Sequence, residues 1–123
     1  MTFRGVHHVS INVDDVDTAG RFYIDALEMT QLARPDFGFP GMWLRCGEQE
    51  IHLIKVDGHV APKGQHFALR VDDVEAARQQ LLAKGVEVSR VLEIPGAGRQ
   101  VFLHDPAGNM IELNQPGSVE RLA

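Results

Sequence analysis

At 123 residues the chain is one ordinary domain or two very small ones, and a half of about sixty residues is marginal as a lone core. With 44 % apolar residues, 24 % charged residues and a net charge of −5, its profile is that of a soluble globular protein, not a disordered or membrane-embedded one, and no basic stripe suits nucleic acid. One cysteine, Cys46, excludes an intrachain disulfide framework and suits a reducing cytoplasm; no signal peptide and no apolar run long enough to span a bilayer stands out.

Residues 6–13 alternate apolar and polar and read as a strand, with Val9, Ile11 and Val13 on one face and His8, Ser10 and Asn12 on the other. Asp14-Asp15 supplies a helix N-cap signal, and Val16, Ala19, Phe22, Tyr23, Ala26 and Leu27 follow at helical spacing. Residues 29–34 are expected to form a short strand and 35–41 (PDFGFPG) a turn-rich loop. Residues 42–46 and 50–56 read as a hairpin around Gly47. After a linker over 57–64 the order repeats: strand 65–71, helix 73–84 closed by Gly85, strand 86–92, glycine-rich loop 95–98, strand 100–104, tight turn 105–108 and last strand 110–114. The fold class is α+β: two tandem βαβββ modules, about 6–56 and 65–115, within a single domain over 1–123, each helix covering one face of its sheet.

The repetition is literal in places. His8 opens HVSINVDDVD and His66, 58 residues later, opens HFALRVDDVE. A weaker echo pairs EIHL at 50–53 with MIEL at 110–113 and sets His52 opposite Glu112. Internal repeats constrain a whole fold, so these four residues form two pairs related by a pseudo-two-fold. Parity sorts the strand residues into two faces. One is apolar throughout (Val9, Ile11, Val13, Ile51, Leu53, Phe67, Leu69, Val71, Val101, Leu103, Ile111, Leu113) and should meet the helices. The other is mixed and carries all four residues of the two pairs, in four different strands. Trp43, Ile54, Phe102 and Met110 interleave with its polar residues, as in the lining of a binding cavity.

Three imidazoles and a carboxylate suit a borderline divalent metal. Spacing alone is weak support, because there is no compact motif and a single strand histidine is more often a surface or hydrogen-bonded residue. The repeat is what gathers His8, His52, His66 and Glu112 into one set, since duplicated strands curled around one axis bring equivalent positions together. His7 has the opposite parity, His59 lies in the linker, and His104 adjoins a turn. Trp43, Arg45, Arg70 and Arg99 are candidate substrate contacts, with ordinary packing or surface charge as the alternative.

The phrases HHVSINVDDVDTAGRFYIDAL, GQHFALRVDDVEAARQQLLAKGVEV and QVFLHDPAGNMIEL resemble the vicinal oxygen chelate superfamily, also called the glyoxalase/bleomycin resistance/dioxygenase superfamily, over about residues 6–115. The resemblance implies paired modules whose curled mixed sheets form a metal-binding cup, often across a homodimer. Its ligand positions fall on His8, His66 and Glu112, with His52 at a fourth, variable position. Drug-binding relatives without activity tend to lack those ligands, so their presence favours an enzyme. Bacterial glyoxalase I usually carries glutamate where this chain has His52 and a glutathione-contacting arginine where it has Asn12; its leucine-glycine-aromatic helix exit reads Leu27-Glu28-Met29 here.

The expectation is therefore a cytoplasmic, divalent-metal-dependent lyase or isomerase of glyoxalase I-like type. It would act on a small-molecule substrate through a metal-bound enediolate or enolate, with Glu112 and His52 as the catalytic pair and Glu112 shuttling the proton. An octahedral Ni, Co, Mn or Fe held by four protein ligands leaves two positions free; Zn is a further candidate, although a closed tetrahedral His₃Glu zinc would be structural and inert. The alternatives are an extradiol-type ring-cleaving dioxygenase using residues 8, 66 and 112, and a non-enzymatic drug- or metabolite-binding resistance protein.

Overall fold

In both halves the second aspartate of the repeated VDDV phrase starts a helix. The Asp15 carboxylate accepts from the Thr18 N–H ahead of α1 (Val16–Arg21), and the Asp73 carboxylate accepts from the Ala76 N–H ahead of α2 (Val74–Ala83), each bond 3.0 Å long. Such caps satisfy a backbone donor that the first helical turn leaves unpaired. The computed structural model describes residues 1–117, in two compact units: Met1–Ala61 with Pro106–Gly108, and Pro62–Asp105 with Asn109 onward.

The first unit contains β1 (His8–Val13), α1, a π-helical turn over Phe22–Ala26, β2 (Thr30–Leu32), β3 (Gly41–Cys46) and β4 (Gln49–Lys55). The second contains β5 (His66–Arg70), α2, β6 (Leu92–Ile94), β7 (Gly98–His104) and β8 (Met110–Gln115). Each unit builds a four-stranded mixed sheet, in the order β1-β4-β3-β2 and β5-β8-β7-β6, and in each the first strand is parallel to the last while the other neighbours are antiparallel. The chain is thus a tandem βαβββ protein.

The parity argument predicted the faces. Ile11, Val13, Ile51 and Leu53 are buried with Ala19 and Tyr23 in the first unit, where α1 packs on β3 and β4. Val101, Leu103, Ile111 and Leu113 are buried with Val74 and Leu81 in the second, where α2 packs on β7 and β8. No helix among the described residues is long and apolar enough to cross a membrane.

Two local expectations need correction. Residues 86–91 form no strand; pairing to β7 begins only at Leu92. Val86 N–H closes the helix end on Leu81 O, and Ser89 ties down the rest: its N–H donates to Phe102 O, its hydroxyl accepts from Phe102 N–H, and its carbonyl accepts from Arg78 Nε. Side-chain bonds thus stand where ladder bonds were expected. The first helix ends in a π turn, Leu27 N–H reaching Phe22 O, and Glu28 leaves it with a φ of 60°, a left-handed conformation that favours glycine.

Candidate functional site

The registers of the two sheets coincide. His8 stands opposite Glu50, and His52 lies two residues further along β4; His66 stands opposite Met110, and Glu112 lies two residues further along β8. Each unit therefore offers one ligand-type side chain on its first strand and one on its last, on the same face.

In the second unit this pair is in contact. His66 Nε2 lies 3.2 Å from Glu112 Oε1. His66 Nδ1 lies 2.9 Å from Gly64 O, and because a carbonyl only accepts, Nδ1 carries the proton. In the neutral ring, Nε2 then presents its lone pair to a carboxylate oxygen. Two acceptors face one another, an arrangement that is satisfied by a proton or a cation. Asn114 Nδ2 donates to the other oxygen, Glu112 Oε2, at 2.8 Å and fixes the carboxylate's rotation. Glu112 is only 8 % exposed, so it is held largely out of water.

The first unit arranges its pair differently. His8, His52 and Trp43, on the adjacent strands β1, β4 and β3, stack ring on ring. Centroids are 4.0 Å apart at 14° between His8 and His52, and 4.4 Å apart at 10° between His52 and Trp43. These spacings are near the separation of neighbouring strands, about 4.8 Å, so the sheet itself sets the stack. His52 is buried, and its Nε2 lies 2.8 Å from Glu50 Oε1. That hydrogen bond holds the Glu50 carboxyl below the usual glutamate range, with His7 and Arg45 adding charge attraction. An ionised carboxylate accepts, so Nε2 donates and Nδ1 keeps the lone pair. His8 Nδ1 and His7 Nδ1 share a hydrogen bond of 2.8 Å.

The chemistry of these donors fits a divalent cation. Ring orientation is fixed by hydrogen bonds at the opposite nitrogens of His52 and His66, which is how proteins prepare imidazole ligands. Among the described residues no group of three or more His, Cys, Asp or Glu is placed to hold a metal ion, so the ligand-type side chains come as pairs within each unit.

Beside the first pair lies a cleft of about 350 Å³, lined by Arg34, Phe37, Phe39, Trp43, His52 and Ile54 among others. Trp43 was anticipated as a contact residue. Arg34, Phe37 and Phe39 were not: Arg34 was expected to end a strand over 29–34, which stops at Leu32, and Phe37 and Phe39 sit in a loop to which no periodicity applies. Glu50 and Asn114 were also missed as orienting residues, although each lies two positions from a ligand-type side chain on one strand face, a usable signal. Arg45 is exposed on β3 opposite Glu50, and Arg70 is exposed on β5 with the parity of His66. Arg99 has the parity of Val101 and Leu103, and its guanidinium lies 4.0 Å from Glu75 of α2, an ion pair on the helix side of the sheet. The turn at 105–108 is shaped by Asp105, whose carboxylate accepts from both the backbone and side-chain amides of Asn109 at 2.9 Å.

The chain matches the Glyoxalase/Bleomycin resistance protein/Dioxygenase superfamily over residues 5–113 and belongs to it. It is 30 % identical to "Glyoxylase I 4" of Arabidopsis thaliana over 119 residues, spanning 88 % of this chain and 68 % of that protein. Among solved structures, it resembles a putative glyoxalase family protein from Bacillus anthracis with a TM-score of 0.86 and 26 % identity, covering 95 % of this chain and 98 % of the other. It also resembles TnmS3, an antibiotic binding protein from Streptomyces sp. CB03234, with a TM-score of 0.79 and 31 % identity, covering 95 % and 99 %.

Proposed function

We propose that the chain is a divalent-metal-dependent lyase or isomerase of glyoxalase I-like type, acting on a small oxygenated substrate, with His8, His52, His66 and Glu112 as the residues that would hold the ion. The observation that carries this reading is the pair in the second unit: an imidazole whose far nitrogen is already committed to Gly64 O stands with Nε2 3.2 Å from an oxygen of the buried Glu112 carboxylate. The coincident register of His8 and His52 supports extending the set to the first unit. The relative named as a glyoxylase I supports the reaction class.

When bound, the ion supplies a Lewis acid that stabilises negative charge developing on two adjacent substrate oxygens, an effect worth several kcal/mol. The chain's own residues do the rest. Glu112, buried and steadied by Asn114, takes a proton from the carbon next to the substrate carbonyl and returns it to the neighbouring carbon. His66 keeps the carboxylate oriented, and Glu50 does the same for His52. Arg45 and Arg70, exposed on the mixed faces, are positioned to attract an anionic substrate.

Elemental analysis of protein purified without chelator tests the reading, with assays on a methylglyoxal–thiol hemithioacetal and, after anaerobic loading with Fe(II), on catechols. A stoichiometric metal that is lost in His66→Ala and Glu112→Ala, with hemithioacetal turnover and no oxygen uptake, is the expected result. Oxygen uptake with a catechol replaces the lyase by a ring-cleaving dioxygenase. The aromatic cleft and the likeness to TnmS3 favour a second reading, sequestration without turnover, and a protein that binds no metal and turns over neither substrate decides for it.

A further inference from the structure

We propose that the cleft of the first unit is a binding site for a flat aromatic acid, its ring against Trp43, Phe37 and Phe39 and its carboxylate on Arg34. This rests on the reading above only in placing the ligand's reacting end beside His8 and His52; the binding itself requires no metal.

A glycine lets Arg34 lie close against β3. Gly41 faces Ile54 across the β3–β4 pair, and the pseudo-equivalent place in the second unit, facing Asn114 across β7–β8, is held by Gln100, which is buried. A Cβ at position 41 would lie 2.6 Å from Leu53 O, 2.7 Å from Arg34 Nη2 and 2.8 Å from Arg34 Cζ, so the β4 backbone and the guanidinium both close on the bare glycine. From there Arg34 Nη1 donates to Phe39 O at 3.1 Å, and the guanidinium carbon stands 4.9 Å from the Phe37 ring centroid and 5.1 Å from that of Phe39. Phe37 is in turn 5.9 Å from both Phe39 and Trp43. The loop is pinned at its tip, where Gly38 N–H donates to Asp36 Oδ1 at 2.8 Å.

The cleft thus holds ordered aromatic surface next to a fixed positive charge. Phe37 and Phe39 remain about half exposed, at 50 % and 46 %, although each is packed on its neighbours. Arg34 uses one of its five N–H groups on Phe39 O and lines the cleft, and a guanidinium fork is the group that grips a carboxylate. A volume of about 350 Å³ is near the lower end for small-molecule sites, which suits one or two fused rings. Among the described lining residues, Arg34 supplies the permanent charge, so a long, flexible thiol with two carboxylates and an ammonium, such as glutathione, is poorly matched there.

The test is calorimetric titration, in the presence of EDTA, with naphthylacetate, naphthylacetamide, cyclohexylacetate and glutathione. Trp43 is the sole tryptophan, so the indole N–H resonance localises binding. Naphthylacetate is expected to bind at least about tenfold more tightly than either the amide or the cyclohexyl acid, the scale of one charge-assisted hydrogen bond, and to shift the indole resonance. Arg34→Gln should abolish the preference for acid over amide. Gly41→Gln would press on Leu53 O as well as on Arg34 and should weaken binding at least as much, with circular dichroism confirming the fold; Arg34→Gln keeps the test open if it does not fold. Equal binding of acid and amide, a preference that survives Arg34→Gln, or tighter binding of glutathione overturns the proposal. Naphthylacetate binding without metal or turnover sustains it while sinking the lyase; metal and turnover without naphthylacetate binding do the reverse.

Discussion

The two units share a backbone plan and differ in what they build on it. In the first, the pair at the repeated positions is His8 and His52, buttressed by Trp43 in a stack and oriented by Glu50. In the second it is His66 and Glu112, with Phe102 meeting His66 edge-on at 5.5 Å and Asn114 holding the carboxylate. Trp43 faces His52 where Phe102 faces Glu112, and Gly41 stands where Gln100 stands. Strand pairing tolerates these exchanges, because a register is set by the buried apolar face and the opposite face is left free to change. The halves therefore differ on that face: one has a cleft lined by aromatic side chains, and the other a buried carboxylate in contact with an imidazole.

The largest effects should come from breaking the second pair. Glu112→Ala removes the carboxylate that faces His66, and metal content is expected to fall close to zero, with activity falling alike; elemental analysis and turnover measure both. His52→Glu makes the first unit copy the second and should keep metal and fold. Loss of metal in His52→Glu as complete as in Glu112→Ala would show that the two positions are not equivalent. The orienting residues come next. Glu50→Gln and Asn114→Ala leave every proposed ligand in place and should each weaken metal affinity by about tenfold, the low end for residues that orient ligands. Competition with a chromogenic chelator reads this directly.

The repeat and the parity of its strands sufficed for the two βαβββ modules, the buried faces and the pairing of ligand-type residues, because each follows from period-two alternation and a duplicated phrase; the order of strands within each sheet came only with the structure. Three features were not legible. Residues 86–91 carry strand-like valines, but Ser89 and Arg78 satisfy the backbone through side chains, which alternation does not encode. The π turn depends on how the chain must leave α1 to reach Met29, whose N–H bonds Tyr23 O. The cleft brings Arg34, Phe37 and Phe39 of a loop against Trp43 of β3, tertiary contacts with no local signature. Arg99 was knowable: its parity already placed it on the helix side, with Glu75.

Helix exits separate the halves again. The second helix is followed by Gly85 at a φ of 80°, and the first by Glu28 at 60°. A residue with a Cβ meets the following carbonyl in that region at a cost of roughly 1–2 kcal/mol, which glycine avoids. Glu28→Gly should therefore stabilise the protein by about 1 kcal/mol, less the extra chain freedom that glycine adds to the unfolded state. A chemical denaturation midpoint that falls, with an unchanged slope, would mean that contacts of the Glu28 side chain outweigh the strain.

The smallest effect concerns the start of the same helix. The Asp15 carboxyl is held below the usual aspartate range, chiefly by the Thr18 backbone N–H. A carboxyl with a depressed value in the folded state binds its proton more readily once unfolded. Its stabilisation is therefore complete above the unfolded aspartate range, near about pH 4, and is lost as pH falls through the lower folded value. Asp15→Asn keeps an acceptor for Thr18 but has nothing to titrate. The difference in unfolding temperature between wild type and Asp15→Asn should be constant near neutrality and shrink on acidification below the aspartate range, whereas Asp15→Ala, without a cap, should be destabilised at every pH. A wild-type advantage over Asp15→Asn that stays constant into acid would mean that the carboxylate's charge contributes nothing and that the cap acts through its acceptor alone.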